Sequence, residues 1–216
     1  MKGGLVIKSL PPEKIEEKSF KLIEERISSH SFNQKEWAIV RRMIHATADF
    51  DLVDSTKFHP EAVAQGIAAL KGGAPIITDT KMVKVGIAGR RLRRYKTKIL
   101  CAISHPEVVR DAKRSGKTRA AVAMQKMRSS LGGSIVAIGN APTALFEVLE
   151  LAKKVSQRPS LVIGVPVGLV GAEESKEMLM KEEIPFITVR GERGGSPLAV
   201  SIVNGLALLA LENRNE

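Results

Sequence analysis

What most constrains this chain is a change of period near residue 74. Beyond it, short apolar runs bounded by turn residues alternate with helical stretches; the runs cover 75–79, 98–104, 134–139, 161–167 and 185–189. Runs this short, rich in Val, Ile and Leu and separated by helical patterns, specify βαβ units. Near-continuous apolar strands belong to a parallel sheet covered on both faces. Right-handed crossovers then leave a doubly wound sheet as the topology. The expectation is an α/β chain: a single doubly wound, flavodoxin-like domain over residues 1–216, with a five-stranded, mostly parallel sheet in the order 2-1-3-4-5 and extra N-terminal helices packed outside.

The N-terminal third carries the helical period instead. Residues 11–28 read as a first helix, with Ile15, Phe20, Leu22, Ile23 and Ile27 among many Glu and Lys, and with Ser19 inside it. A second helix starts at Asn33, an N-cap paired with Glu36 in a capping box. Trp37, Val40 and Ile44 recur at helical spacing and give it a buried face. The stretch 41–51, RRMIHATADFD, ends that pattern and puts His45 in the last turn. There the partial negative charge of the helix end favours a cationic imidazole that can donate a proton. Asp49 either orients His45 or caps the following turn. The polar segment 49–57 reads as a loop, and Pro60 as the opening of a third helix stopped by Gly72 and Gly73.

Open parallel sheets bind ligands beyond the carboxyl ends of their strands, where helix N-termini favour anions. In the expected order the first and third runs are neighbours, so ITDT (with Thr80) and GNAPT (with Asn140 and Thr143) flank the crevice. Ser104 with Glu107 reads as a capping box around Pro106, Asn140 as the cap before Pro142, and Ser196 as the cap before Pro197. No loop carries GxGxxG or a complete P-loop, His30, His45, His59 and His105 are scattered, and GxSxG is absent. Dinucleotide binding, a metal centre and serine hydrolysis therefore lack support.

Composition narrows the rest. Apolar residues are 44% of the chain, enough for a core that hides roughly 70% of the unfolded surface. A lone Cys101, in the apolar run ILCAIS, excludes an intrachain disulfide, suits a reducing compartment and reads as a buried inert thiol. The most apolar segment, 198–211, is too short to span a membrane and is interrupted by Asn204 and Gly205; no secretory signal pattern opens the chain. A soluble cytoplasmic protein without a membrane partner is expected. With 34 Lys and Arg against 23 Asp and Glu, the net charge of +11 suits a polyanion, either nucleic acid or a small polycarboxylate. Aromatic residues at 4% leave little for base stacking, so nucleic acid is not the expected partner. The most basic run, 89–98 (GRRLRRYKTK), is either solvated surface or a face toward that anion.

HATADFD, GAPIITDTKM, TRAAVAM, IGNAPTALFEVLEL, VIGVPVGLVGAEESKE and PFITVRGERGGSPLAV, in this order, resemble the precorrin-8X methylmutase family of cobalamin biosynthesis across nearly the whole chain. The resemblance implies a flavodoxin-like cytoplasmic homodimer acting on a polycarboxylated corrinoid, with no added cofactor. It implies an isomerase that moves a methyl group from C11 to C12 of ring C, giving hydrogenobyrinic acid or, from the cobalt form, cobyrinic acid. It makes His45 of HATADFD the catalytic acid on a ring nitrogen, and such an isomerisation needs only a placed proton donor and a shaped pocket. Arg119 is implied to pair with a peripheral carboxylate, Ser19 and Thr80 to offer hydrogen bonds, and Asn140, Thr143 and Ser196 to lie beside carboxylates. Arg190 either contacts the ligand or sits on the sheet rim. His105 stands where the family pattern has an acidic residue. A non-catalytic carrier that binds the corrinoid product and hands it on is the alternative.

Overall fold

The computed structural model describes residues 11–212, and its sheet has six strands where five were expected. They are β1 (Thr56–Phe58), β2 (Ile76–Thr78), β3 (Ile99–Leu100), β4 (Ile135–Ile138), β5 (Leu161–Gly164) and β6 (Phe186–Val189), in the spatial order β1-β6-β5-β4-β2-β3. The pairs β3–β2, β2–β4, β4–β5 and β5–β6 are parallel, whereas β1 runs antiparallel to β6 with Thr56 opposite Val189 and Phe58 opposite Ile187. The five-strand expectation is thereby corrected. The sixth strand falls in the segment expected to be a loop, where the chain forms a short helix, α3 (Leu52–Ser55), before β1. Three residues, Thr-Lys-Phe, are too few to display a period. They become a strand because β6 would otherwise present an open edge, and the bonds His59 N–H to Phe186 O and Arg190 N–H to Ser55 O continue the pairing at both ends.

Among the described residues ten further α-helices surround the sheet: α1 (Pro12–Arg26), α2 (Gln34–Thr47), α4 (Ala62–Lys71), α5 (Lys81–Gly86), α6 (Gly89–Leu92), α7 (Pro106–Ser115), α8 (Arg119–Lys126), α9 (Pro142–Ala152), α10 (Ala172–Met180) and α11 (Ser196–Glu212). The apolar strands are explained by two cores. Along β4, Ile135 and Ala137 face a core built with α2, α4, α5 and α11, while Val136 and Ile138 face one built with α7, α8, α9 and α10. A strand buried on both faces has no polar side to alternate, hence the continuous apolar runs. The apolar segment 198–211 lies inside α11, which is buried along most of its length. Its Gly205 lets α2 come close: a Cβ there would stand 3.3 Å from Ile39 Cγ1.

Several local expectations shift by a residue or two. The third helix begins at Ala62 rather than Pro60, after a turn closed by Ala62 N–H on His59 O. The Ser104–Glu107 capping box does not form, because His105 occupies the cap position and Pro106 starts α7, which moves Glu107 out of the reciprocal place. Asn140 does not cap α9; Ala141 does, with no side-chain bond. Ser196 is the first residue of α11 rather than its cap. Cys101 is half-buried, since β3 is a two-residue edge strand and the chain leaves the sheet directly after it.

Candidate functional site

His45 stands where the second helix was expected to leave it. The helix is fixed at its start by Asn33, whose Oδ1 accepts from Lys35 N–H and Glu36 N–H at 3.0 Å each, and by Glu36 Oε2, which accepts from Asn33 N–H at 3.0 Å. It is fixed at its end by Ala48, left-handed at φ 55°, whose N–H closes on Ile44 O at 2.7 Å. Ile39, Val40, Met43 and Ile44 turn into the core, so His45 is carried on the exposed shoulder of the last turn. Helix α1 is laid across it. Phe20 meets the His45 ring edge-on at 5.4 Å, Arg41 and Arg42 lie over the Phe20 ring, Arg42 pairs with Glu16 at 2.7 Å and Arg41 pairs with Glu24.

Beside His45 is a depression of about 260 Å³. Arg42, His45 and Ala46 come from α2, Arg91 from α6, and Pro197, Val200, Ser201 and Asn204 from α11. Among the described residues its lining contains no carboxylate. Ser201 is occupied, its hydroxyl donating to Leu198 O at 2.9 Å, and Asn204 is a clamp: Oδ1 accepts from Ala88 N–H at 2.8 Å while Nδ2 donates to Gly86 O at 3.2 Å. Gly86 allows this contact to be close, since a Cβ there would meet Val200 Cγ2 at 2.6 Å.

At the carboxyl ends of β2 and β4 the organising group is Asp79, fully buried. Its carboxylate accepts from the N–H groups of Gly139 (3.2 Å), Asn140 (2.8 Å) and Ala141 (2.9 Å). Burial pushes its carboxyl above the ordinary value, against the downward pull of these backbone bonds. The N–H groups before α9, an expected anion site, are thus already filled from within the chain. Thr80 caps α5, its Oγ1 accepting from Val83 N–H at 3.2 Å. Gly139 brings α11 in, because a Cβ there would lie 2.8 Å from Ser196 Cα. Thr118 caps α8 and its Oγ1 lies 2.7 Å from Thr143 Oγ1, which joins the starts of α8 and α9 and sets Arg119, exposed, beside them.

Residues 190–195, between β6 and α11, form a strap. Lys176, 1% exposed, donates from Nζ to Arg193 O at 2.6 Å. The Arg193 guanidinium reaches Asp49 at 3.1 Å and Asp51 at 2.6 Å. Asp49 Oδ1 also accepts from Asp51 N–H at 3.1 Å, so Asp49 caps the turn after α2 and answers Arg193 rather than orienting His45.

The expected site residues therefore divide. Asn140, Thr143, Ser196 and Thr80 gather at the carboxyl end of the sheet with Arg119, and the first turn of α11 connects that group to His45 through Pro197. Ser19 lies apart on α1, next to Phe20, with its hydroxyl donating to Ile15 O at 2.9 Å. The depression at His45 is lined by none of those six. Asp79, Lys176, Arg193 and Asn204 stand outside the site residues that the sequence singles out. Asp79 had a signal, an acid at the end of an apolar strand beside the predicted crevice; the others show their roles only through partners distant in the chain. Among the described residues no group of three or more His, Cys, Asp or Glu side chains is placed to hold a metal ion, and no helix is long and apolar enough to cross a membrane.

Comparison with known proteins bears on this arrangement. The family model for precorrin-8X methylmutase matches residues 14–209. A cobalt-precorrin-8 methylmutase of Leptospira interrogans is 48% identical over 204 residues, covering 91% of this chain and 93% of its own. A precorrin-8X methylmutase of Pseudomonas aeruginosa is 46% identical over 168 residues, covering 77% of this chain and 80% of its own. The crystal structure of a precorrin-8x methyl mutase from Thermus thermophilus superposes with a TM-score of 0.84 at 40% identity, covering 92% of this chain and 98% of that one.

Proposed function

The chain belongs to the precorrin-8X methylmutase family, and from that premise we propose that it moves a methyl group from C11 to C12 of ring C of precorrin-8X or cobalt-precorrin-8, with His45 as the proton donor. The observation that carries the reading is the position of His45: exposed at the end of a doubly capped helix, braced by Phe20, in a depression with cationic and neutral walls. A proton delivered to a ring nitrogen draws electron density from the macrocycle and lowers the barrier to a suprafacial 1,5-sigmatropic shift. The bond from the methyl carbon to C11 breaks as the bond to C12 forms, and the proton returns to the imidazole, so nothing is gained or lost.

The remaining residues hold the pigment. Arg119, exposed at the start of α8, presents a planar fork that suits a peripheral carboxylate. The Thr80 hydroxyl, accepting from Val83, keeps its proton to donate, whereas Ser19 must leave Ile15 O to do so. Asn140 has its N–H committed to Asp79 and offers its side-chain amide; Thr143 and Ser196 complete the rim at two helix starts. No cofactor enters this scheme. We place the enzyme in the cytoplasm as a homodimer, on the strength of the family resemblance and of the apolar side chains Leu169 (82%) and Val170 (87%) that stand exposed on the loop after β5; fractionation that recovers it outside the cytoplasm contradicts the location.

The test is turnover followed by the visible spectrum of precorrin-8X or its cobalt form. His45→Ala is expected to slow conversion by about 100- to 10,000-fold while corrinoid binding persists. Weakened binding with unchanged turnover of the bound pigment refutes the role given to His45. A wild-type protein that binds product tightly and leaves the substrate spectrum unaltered is a carrier instead.

A further inference from the structure

Within the basic run 89–98, Arg90, Arg93 and Arg94 are exposed, but Arg91 is partly buried and lines the depression at His45. Its neighbour Leu92 anchors α6 in the core, and Arg91 N–H closes on Ala88 O at 2.9 Å. Two contacts tie the segment to α11. Asn204 of α11 grips the backbone at both Gly86 and Ala88, and Gly86 sits against Val200 in contact too close for any side chain. Arg42, the other arginine there, is neutralised by Glu16 at 2.7 Å. Among the described residues Arg91 has no acidic partner. A half-buried guanidinium with no counter-charge, facing a depression whose described lining carries no carboxylate, is suited to bind an anion. The volume of about 260 Å³ is below the roughly 300–1,000 Å³ of sites that enclose a whole drug-sized ligand, so it admits an edge of a macrocycle and not its body.

Resting on the function proposed above, we infer that Arg91 binds a peripheral carboxylate of the corrinoid next to the ring that His45 protonates, and that this contact sets the pigment's rotation in the site. Anchoring by Arg119 alone fixes one point of a disc; a second fixed point beside the acid selects which nitrogen receives the proton. The residue discriminates charge rather than shape.

Titration calorimetry of the full chain, wild type and Arg91→Met, with cobyrinic acid and with its heptaamide, tests this. The wild type is expected to prefer the acid, and Arg91→Met to lose about 10- to 100-fold in affinity for the acid while binding the heptaamide as the wild type does. Arg91→Lys, which keeps the charge without the fork, should fall between. Equal losses for acid and amide mean that Arg91 only packs, and an unchanged affinity for the acid means that it is solvated surface; either overturns the inference. A wild type that binds neither compound overturns the function and this inference together, whereas wild-type binding with an indifferent Arg91 removes the inference alone.

Discussion

Lys176 carries an amine into a place that water hardly reaches, at 1% exposure. Burial lowers its pKa from 10.5 to about 8, with Glu173 and Glu192 pulling weakly the other way. Between about pH 8 and pH 10.5 the unfolded chain holds this proton and the folded chain does not, so stability rises with pH across that window. Below it both states are protonated and the folded state bears the full cost of the buried charge, on the order of 3 kcal/mol. Urea unfolding from pH 7 to pH 10.5 should show this gain in the wild type and not in Lys176→Met, where the charge is gone and the stem's volume is kept. Parallel pH profiles for the two proteins would contradict it. What the amine does in exchange is hold Arg193 O, and through the strap the ion pairs to Asp49 and Asp51 just beyond His45. GAEESKE shows a lysine on an amphipathic pattern; that it points inward is decided by a carbonyl 17 residues away.

Helix starts show how far local rules reach. Asn33 and Glu36 form the capping box that their spacing promises, because nothing else competes for the first turn of α2. Ser104 and Glu107 have the same spacing and fail, because the proline after His105 begins the helix one step later. At GNAPT, Asn140 loses the cap because its own N–H is turned toward Asp79. The junction of α5 with α11 is similarly a matter of approach. In Gly86→Ala the new methyl would need space held by Val200 Cγ2, 2.6 Å away. Over-packing of that kind costs about 1–3 kcal/mol, which lowers the melting temperature of a chain this size by about 2–10 °C. Calorimetry on Gly86→Ala checks it, and an unchanged melting temperature would show that α5 and α11 are not packed too tightly there to admit a methyl group.

For the molecule as a whole, the exposed Leu169 and Val170 sit on a loop bounded by Gly168 and Gly171, with the rest of the core closed beneath them. If that loop is where two copies meet, sedimentation gives twice 23.4 kDa for the wild type and 23.4 kDa for Leu169→Glu/Val170→Glu. A monomeric wild type removes the dimer, and an unaltered dimer in the double variant moves the interface elsewhere.

The chain by itself determined the parallel strands, the two-sided core, the helix whose last turn carries His45 and the family it resembles, since periodicity and capping act over a few residues and are written locally. It did not determine β1, whose three residues acquire a strand only from the open edge of β6, nor the burial of Lys176, nor the nest of amides closed by Asp79. Nor did it separate Arg91 from the arginines around it. Each of those depends on a partner tens of residues away or on which side of a packed element faces water, and such facts come into being only when the layers are stacked.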